Sequence, residues 1–284
     1  MPATQEIALD SKIGVLAGGG MLPESVCRAC EARGQDVFVV AFEGQTQDSL
    51  LNGRAYVRTA LGKVGTVISA LKERGIEHLV MAGGIKRPGF FELKPDWKAV
   101  QILARIGTRA LGDDSLLRVL RAELEKEGFI LHGAHELAQN LVAGEGGLGD
   151  VSPVSEDMES IDLGIKASQA LGALDVGQAV IVQQGRVIAL EGVEGTQALI
   201  ERCAGLLSEG GRGGILVKTC KPQQDKDMDM PAIGPDTVEQ AHKAGLCGIV
   251  IHAGASLVLD AKAVAQVANK YKIFVLGVCI PQPF

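Results

Sequence analysis

The chain has 284 residues and a mass of 29.7 kDa, and 46% of its residues are hydrophobic and 22% charged. This composition excludes a disordered, collagen-like or coiled-coil chain, and the length fits two domains. The net charge of −6 and the 4% share of aromatic residues argue against a nucleic-acid partner, which requires basic surface and stacking side chains. No run approaches the ~18 apolar residues of a membrane span, and residues 1–11 lack a signal-peptide pattern, so we expect a cytoplasmic protein.

The first half alternates short apolar runs with helical patterns, which is typical of βαβ units and a parallel sheet. Glycine turns follow the first and third predicted strands, at Gly18–Gly20 and Gly83–Gly84. We therefore predict an α/β, Rossmann-like domain at residues 1–145. Its strands are predicted at 12–17, 36–42, 78–82 and 129–131, and its helices at 23–33, 64–74, 97–111 and 115–127.

The second half repeats the α/β pattern after a segment rich in Gly, Ser and Pro at 140–155, which we interpret as a linker. We predict a C-terminal α/β catalytic domain at 155–284, with the active site in the cleft between the two domains. Strands are predicted at 178–183, 187–190, 215–219, 248–252 and 274–278, the first two as a hairpin around Gln184-Gly185, and helices at 156–171, 196–207, 236–243 and 261–271.

Cysteine and histidine patterns suggest no metal site. The pair Cys27 and Cys30 matches CxxC but lies in a predicted helix, and no second CxxC completes a zinc site, so we interpret these thiols as buried. His132 and His135 form HxxH outside an HExxH context, and we interpret both as structural.

The turn Gly18-Gly19-Gly20 lies between a strand and a helix N-terminus, where backbone N–H groups and the helix dipole favour a phosphate. The alternative is a tight βα connection without a ligand. A GxGxxG dinucleotide motif is incomplete because Pro23 occupies the third glycine position, although Glu43 stands where a ribose ligand would be. We expect Gly83, Gly84 and Lys86 to face the same cleft.

The polar loop after residue 219 carries the strongest chemical signal. Asp225, Asp227 and Asp229 alternate, and on an extended chain their carboxylates project to one side, as a hard cation requires. Lys218 and Lys221 would hold an anion nearby. The alternative is a solvated acidic loop. In Glu191-Gly192-Val193-Glu194-Gly195-Thr196, two further carboxylates precede Thr196, for which helix capping is an equally good interpretation.

Taken together, these motifs resemble the LpxI-type UDP-2,3-diacylglucosamine pyrophosphatases of lipid A synthesis, nearly end to end. The resemblance rests on IGVLAGGGMLPESV, MAGGIKRPG, GDDSLLRVLRAELEKEGFILHGAHEL, EGVEGTQALIERC and KPQQDKDMDMPAIGPDTV. It implies Mg²⁺-dependent hydrolysis of a UDP-linked diacylated glucosamine to UMP and the sugar 1-phosphate lipid X, with the substrate at the junction of two domains. It also implies that Asp225 is the key acid.

Two positions depart from the motifs expected of that family. Asp227 stands where D-x-R-x-D would have arginine, and Gln197 where EGTD would have aspartate. The change to Asp227 removes a phosphate-holding cation and adds a carboxylate. We assign catalysis to Asp225 and metal binding to Asp225, Asp227 and Asp229. The predicted substrate-binding residues are Gly18, Gly19, Gly20, Gly83, Gly84, Lys86, Glu194, Thr196, Lys218 and Lys221.

Two other function classes each fit part of the sequence. A nicotinamide-dependent oxidoreductase would use the first glycine turn, but the second half offers no hydride partner. A non-catalytic nucleotide-binding module would leave Asp225 to Asp229 unexplained. A diacylated substrate further predicts peripheral contact with the inner membrane. The candidate for this contact is the helix at 97–111, and the alternative is that this segment is an ordinary amphipathic helix packed on the sheet. A second copy of the chain is a candidate partner.

Overall fold

The computed structural model describes residues 11–85, 95–106, 113–208, 211–224, 227 and 229–281, and the side chains of 103, 105, 106 and 113–116 are not described. The chain divides into two compact units. Unit 1 comprises Met1–Gln139 with Asp227–Asp229, and unit 2 comprises Asn140–Lys226 with Met230–Phe284.

Unit 1 is built on a five-stranded parallel sheet in the order β3-β2-β1-β4-β5. The strand order reverses between β1 and β4, and ligands of such sheets bind at the carboxyl ends of the strands beside that point. The strands are β1 (Lys12–Ala17), β2 (Asp36–Phe42), β3 (Ala55–Thr59), β4 (His78–Ala82) and β5 (Ile130–His132), and the helices are α1 (Leu22–Ala32), α2 (Val64–Glu73), α3 (Trp97–Ile106), α4 (Asp113–Lys126) and α5 (Ala134–Leu137).

The elements of unit 1 follow from its apolar pattern. β1 and β2 are almost continuously apolar because helices cover both faces of a parallel sheet. α1 has Pro23 in its first turn and buries Val26, Cys27 and Cys30 on one face. Gly34, with φ 78°, follows the end of α1 in the left-handed region that favours glycine.

Unit 2 contains a six-stranded mixed sheet in the order β6-β13-β11-β9-β7-β8 and a separate pair, β10-β12. The central strands β9, β11 and β13 are parallel, whereas β6, β7 and β8 pair antiparallel. The strands are β6 (Gly146–Leu148), β7 (Ala179–Gln183), β8 (Arg186–Leu190), β9 (Gly214–Lys218), β10 (Ala232–Ile233), β11 (Leu246–His252), β12 (Leu257–Val258) and β13 (Phe274–Val278), and the helices are α6 (Met158–Ala173), α7 (Gly195–Cys203), α8 (Pro235–Lys243) and α9 (Ala261–Tyr271).

The sheet of unit 2 has an apolar core on each face. One core joins Ile161 of α6 to Val217 and Phe274. The other joins Leu199 of α7 and Val264 of α9 to the opposite face. The α/β class predicted from sequence is confirmed, including the hairpin of β7 and β8 around Gln184-Gly185.

Four strands were not predicted: β3, β6, β10 and β12. The interpretation of residues 140–155 as a linker is wrong in one respect, because β6 lies in this segment and pairs with β13 at the edge of the second sheet. The segment therefore packs as part of unit 2.

The cysteine interpretation is confirmed for the CxxC pair. Cys27 and Cys30 are free and buried, and desolvation raises the pKa of Cys27 to about 12 and that of Cys30 to about 11. Within the described ranges, no helix is both long and apolar enough to cross a membrane.

Candidate functional site

The two glycine turns of unit 1 lie against each other at the carboxyl ends of β1 and β4. The N–H of Gly18 donates to the carbonyl of Ala82 at 2.8 Å, and the N–H of Gly19 donates to Gly84 O at 2.8 Å. In return, the N–H of Gly84 donates to Gly19 O at 3.2 Å. The turns predicted separately from sequence are thus joined as a short antiparallel bridge.

This close approach explains why glycine occupies the turns. A Cβ on Gly18 would lie 2.6 Å from the carbonyl oxygen of Gly84, and one on Gly83 would lie 2.4 Å from that of Gly19. Gly83 also has a φ of 90°, which L side chains rarely adopt. By contrast, a Cβ on Gly20 or Gly84 would meet no atom within 4 Å.

The N–H groups of Gly18 and Gly19 are therefore occupied by the end of β4 and by the second turn, and an anion here would meet the start of α1 beside Gly20 instead. The tight connection and the anion site are compatible, because they use different atoms of the same turn. Lys86, predicted beside Gly83 and Gly84, lies outside the described residues.

A second group of polar side chains in unit 1 brings together His135, Glu136 and Asp227. One potential ligand atom of each lies within 4.8 Å of the others, and all three residues are half-buried. His135 Nε2 is 3.8 Å from Asp227 Oδ1, and Arg121 Nη1 of α4 is 3.4 Å from Asp227 Oδ2. This imidazole and these two carboxylates form a set of donors suited to a divalent cation.

A buried histidine pair extends from this group into the sheet. His132 Nδ1 lies 3.0 Å from Glu136 Oε2, and His132 Nε2 lies 2.9 Å from His78 Nδ1. A carboxylate without a proton only accepts, so His132 donates to it from Nδ1, and in this tautomer a neutral His132 accepts from His78 at Nε2. Burial, with the neighbouring His132 as the smaller cause, lowers the pKa of His78 from its usual 6.5.

The predicted lysines of unit 2 have partners in the protein. Lys218, at the end of β9, is 9% exposed, and its Nζ donates to Ala232 O at 3.2 Å. Lys221 Nζ forms an ion pair with Asp175 Oδ1 at 2.6 Å. Both side chains therefore have structural contacts in addition to the anion-binding role predicted for them.

The capping role predicted for Thr196 is wrong. Helix α7 begins at Gly195 with Glu194 at its N-cap position, two residues before Thr196, which lies within the helix. The hydroxyl of Thr196 donates to Glu191 Oε1 at 2.6 Å. A hydrogen bond from its own backbone N–H, and then the guanidinium of Arg202, lower the pKa of Glu194.

The acidic loop is described only in part. Asp225, the predicted catalytic residue, lies outside the described residues, as do Lys226 and Met228. Asp227 lies in a turn rather than on an extended strand, and Asp229 is exposed. The described structure joins Asp227 to His135 and Glu136, and Asp229 is not part of that group.

His135 was interpreted as structural from sequence, but its ring belongs to this candidate metal group. The available signal was the adjacency of a carboxylate in His135-Glu136. His132, by contrast, is buried and hydrogen-bonded, as a structural histidine would be.

The proposed membrane helix is described as far as residue 106. Trp97 at its start is 75% exposed, whereas Ile102 is buried. Lys98 pairs with Glu123 of α4 at 2.9 Å and with Glu127, just after that helix, at 2.7 Å. The side chain of Arg105 and the whole of Arg109 lie outside the described residues, so membrane contact stays a prediction.

Comparison with known proteins gives matches along nearly the whole chain. The LpxI N-terminal domain matches residues 12–141 and the LpxI C-terminal domain matches residues 144–276. A curated protein of Caulobacter vibrioides, UDP-2,3-diacylglucosamine pyrophosphatase LpxI, is 39% identical over 274 residues, which cover 94% of this chain and 97% of that protein.

Solved structures give only weak similarity. The Bordetella bronchiseptica enzyme WbmG in complex with NAD is 13% identical with a TM-score of 0.30, over 45% of this chain and 37% of that one. Glycinamide-RNase-transformylase T from Mycobacterium tuberculosis is 10% identical with a TM-score of 0.26, over 63% of this chain and 44% of that one. Neither score supports an argument about function. The two domain matches and the curated relative show that the chain belongs to the LpxI family.

Proposed function

We propose that this protein hydrolyses the diphosphate of UDP-2,3-diacylglucosamine in lipid A biosynthesis, with Mg²⁺, to UMP and 2,3-diacylglucosamine 1-phosphate, lipid X. The observation that carries the proposal is the 39% identity to a UDP-2,3-diacylglucosamine pyrophosphatase over 94% of the chain and 97% of that relative. Similarity over both domains favours a shared reaction over a shared fold alone.

The chemistry requires that negative charge on the diphosphate be balanced while water is positioned for attack. The N-terminus of α1 beside Gly20 offers N–H groups and a favourable dipole. Lys218 and Lys221 are the proposed lysine contacts to phosphate. Both already have protein partners, so substrate would have to share Lys221 with Asp175.

The carboxylates of the acidic loop are suited to Mg²⁺, which prefers oxygen ligands. Asp225, Asp227 and Asp229 are the proposed ligands, and the oxygens of Asp227 and Glu136 lie close enough together to share a cation. When bound, Mg²⁺ would neutralise phosphate charge and help to position water. Asp225 itself acts either as a ligand or as the general base, a role that typically contributes ~10²–10⁴-fold in rate.

The deciding experiment incubates the full chain with UDP-2,3-diacylglucosamine and MgCl₂ and measures UMP, with EDTA as the control. UMP and lipid X should form together and only with the metal. Nucleotide binding without UMP release would instead support the non-catalytic alternative. Hydrolysis in ¹⁸O-water should label lipid X, which corresponds to attack at the sugar-side phosphorus; label in UMP would place attack at the other phosphorus.

Asp225→Ala tests the catalytic assignment. The variant should fold and bind substrate, because a carboxylate in a polar loop contributes little packing, but turnover should fall by ~10²-fold or more. Asp162→Ala, which removes an exposed aspartate of α6, is the matched control and should keep full activity. Turnover of Asp225→Ala at the unmodified rate would show that Asp225 is neither ligand nor base.

The substrate also favours a place at the cytoplasmic surface of the inner membrane. Each CH₂ of an acyl chain moved into water costs about 0.8 kcal/mol, so the enzyme should take its substrate at the bilayer. The exposed Trp97 at the start of α3 makes that helix the proposed contact. Charge reversal of both Arg105 and Arg109 should weaken binding to vesicles containing anionic lipid, and unchanged binding would exclude this helix.

A further inference from the structure

We propose that His135, Glu136 and Asp227 form a mixed nitrogen and oxygen site for a divalent cation in unit 1, in which the buried His132 positions Glu136. This inference goes beyond the proposed function, with which it shares one proposed ligand, Asp227. It rests on the geometry of unit 1, and cation binding can be measured without substrate.

The spacing of the three side chains supports one shared cation. Their potential ligand atoms lie within 4.8 Å of one another, and the separation of 3.8 Å between His135 Nε2 and Asp227 Oδ1 is too long for a hydrogen bond. Ligands at about 2.0–2.2 Å from a common metal are separated by distances of this order. The group therefore has the dimensions of a coordination site rather than of a hydrogen-bonded cluster.

Of the two ring nitrogens of His135, Nε2 faces Asp227, at 3.8 Å from its Oδ1. Nδ1 is buried and has no hydrogen-bond partner among the described residues. A neutral imidazole that carries its proton on Nδ1 leaves the lone pair of Nε2 for a cation.

Gly133 makes room for the group. A Cβ at this position would lie 2.4 Å from the ring of His135 and 3.0 Å from Cα of Asp227. A side chain at this position would have to displace the ring of His135 and would press against the backbone of Asp227. The chain thus allows the backbone of Asp227 to approach the histidine closely.

A hydrogen-bonded chain fixes one of the carboxylates. His78 Nδ1 lies 2.9 Å from His132 Nε2, and His132 Nδ1 lies 3.0 Å from Glu136 Oε2 as its donor. Both histidines lie on one face of the sheet, since His132 pairs in register with Val80, two residues along β4 from His78. Such outer contacts orient metal ligands, and their loss typically lowers metal affinity by ~10–100-fold.

The donor types select among cations. An imidazole favours first-row transition metals, whereas Mg²⁺ and Ca²⁺ prefer oxygen alone. The group should therefore bind Mn²⁺ more tightly than Mg²⁺. Arg121, at 3.4 Å from Asp227 Oδ2, repels a cation and should moderate its affinity.

The test titrates the untagged full chain with MnCl₂ and follows free Mn²⁺ by electron paramagnetic resonance. His135→Gln and Glu136→Gln should each weaken Mn²⁺ binding by more than about tenfold. Glu73→Gln is the matched control, because it removes an exposed carboxylate of α2 in unit 1 that is not part of the group, and it should bind as the unmodified chain does. Unchanged binding in His135→Gln, or an equal loss in Glu73→Gln, would overturn the site.

The positioning role of His132 needs two variants. His132→Leu should lose about 10–100-fold in Mn²⁺ affinity, whereas His132→Asn should recover most of it, because the Asn amide can donate from nearly the position of Nδ1. Equal losses in both would overturn the positioning role. Circular dichroism of each variant establishes whether it folds. If His132→Leu does not fold, the His135 and Glu136 variants still test the metal site.

The two experiments can contradict the metal site and the proposed function independently of each other. Mn²⁺ binding that depends on His135 and Glu136, without UMP release from the lipid substrate, would contradict the function and support the site. UMP release with Mn²⁺ binding indifferent to both residues would contradict the site and support the function.

Discussion

The contact between the two glycine turns predicts a graded loss of stability along three glycine-to-alanine variants of unit 1. Gly84→Ala places a Cβ in open space without a left-handed φ. Gly20→Ala also enters open space but at a φ of 87°, and Gly83→Ala combines a φ of 90° with a Cβ 2.4 Å from Gly19 O. The three variants thus separate backbone strain from steric conflict while making the same chemical change.

The expected magnitudes follow from these geometries. Gly84→Ala should change the free energy of unfolding by no more than about 0.5 kcal/mol, or raise it slightly through the less flexible unfolded chain. Gly20→Ala should cost about 1–2 kcal/mol for the left-handed conformation. Gly83→Ala adds an overpacking cost of about 1–3 kcal/mol, because the conflicting atom is a backbone carbonyl, for a total of about 2–5 kcal/mol.

Stability should be measured by hydrogen exchange in increasing urea, read on peptides that cover β1 and β4, because exchange reports unit 1 separately from unit 2. The order of destabilisation should be Gly83, Gly20, Gly84. Equal effects of Gly20→Ala and Gly83→Ala would show that the turns do not need their close approach. A cost at Gly84 comparable to that at Gly83 would refute the geometry of the turns altogether.

Three further outcomes are expected. The pKa of His78 lies below 6.5 in the folded chain, so below pH 6.5 the unfolded state binds more protons than the folded state, and unit 1 should lose stability as the pH falls through 6.5. In urea titrations at several pH values, His78→Gln should flatten this dependence of stability on pH. An unchanged slope in that variant would contradict the prediction. In the folded protein, the exposed Cys279 should react with iodoacetamide, whereas Cys27 and Cys30 should react only after unfolding, because both are buried and burial raises the pKa values of these two thiols. Labelling of Cys27 or Cys30 in the folded protein, detected by mass spectrometry, would refute this. A double-mutant cycle of Lys221→Met and Asp175→Asn should give a coupling of about 1 kcal/mol in unfolding free energy, and zero coupling would show that the ion pair contributes nothing to stability.

Most elements of the fold could be predicted because their periodicity is strong. β1, β2, β4, α9 and β13 have the bounds expected from sequence, and Pro23 and Gly34 mark the limits of α1. The strands that escaped prediction lack that signal. β3 is a largely exposed edge strand, and β6 contains two glycines among its three residues.

The two-residue strands β10 and β12 show a different limit. They exist only because Ala232 and Ile233 pair with Leu257 and Val258, which are distant in sequence. No local pattern specifies such a pairing, since its hydrogen bonds form only after the chain has folded.

The candidate site, like the fold, could be predicted from sequence only in part. Local sequence predicted glycine turns after β1 and β4, because residues without a Cβ between a strand and a helix indicate a tight connection. It could not indicate that Gly18 donates to the end of β4 and Gly19 to the second turn, which leaves the start of α1 as the place for an anion.

Sequence alone therefore determined the α/β class, the glycine turns and the similarity to a family, because these depend on periodicity and on residues adjacent along the chain. Tertiary structure alone brought Asp227 to His135 and Glu136, and placed His78 and His132 in line behind them. The physical reason is that a coordination group depends on distances of a few ångströms between segments far apart in sequence. Those distances are set by strand order and by the space that Gly133 leaves open.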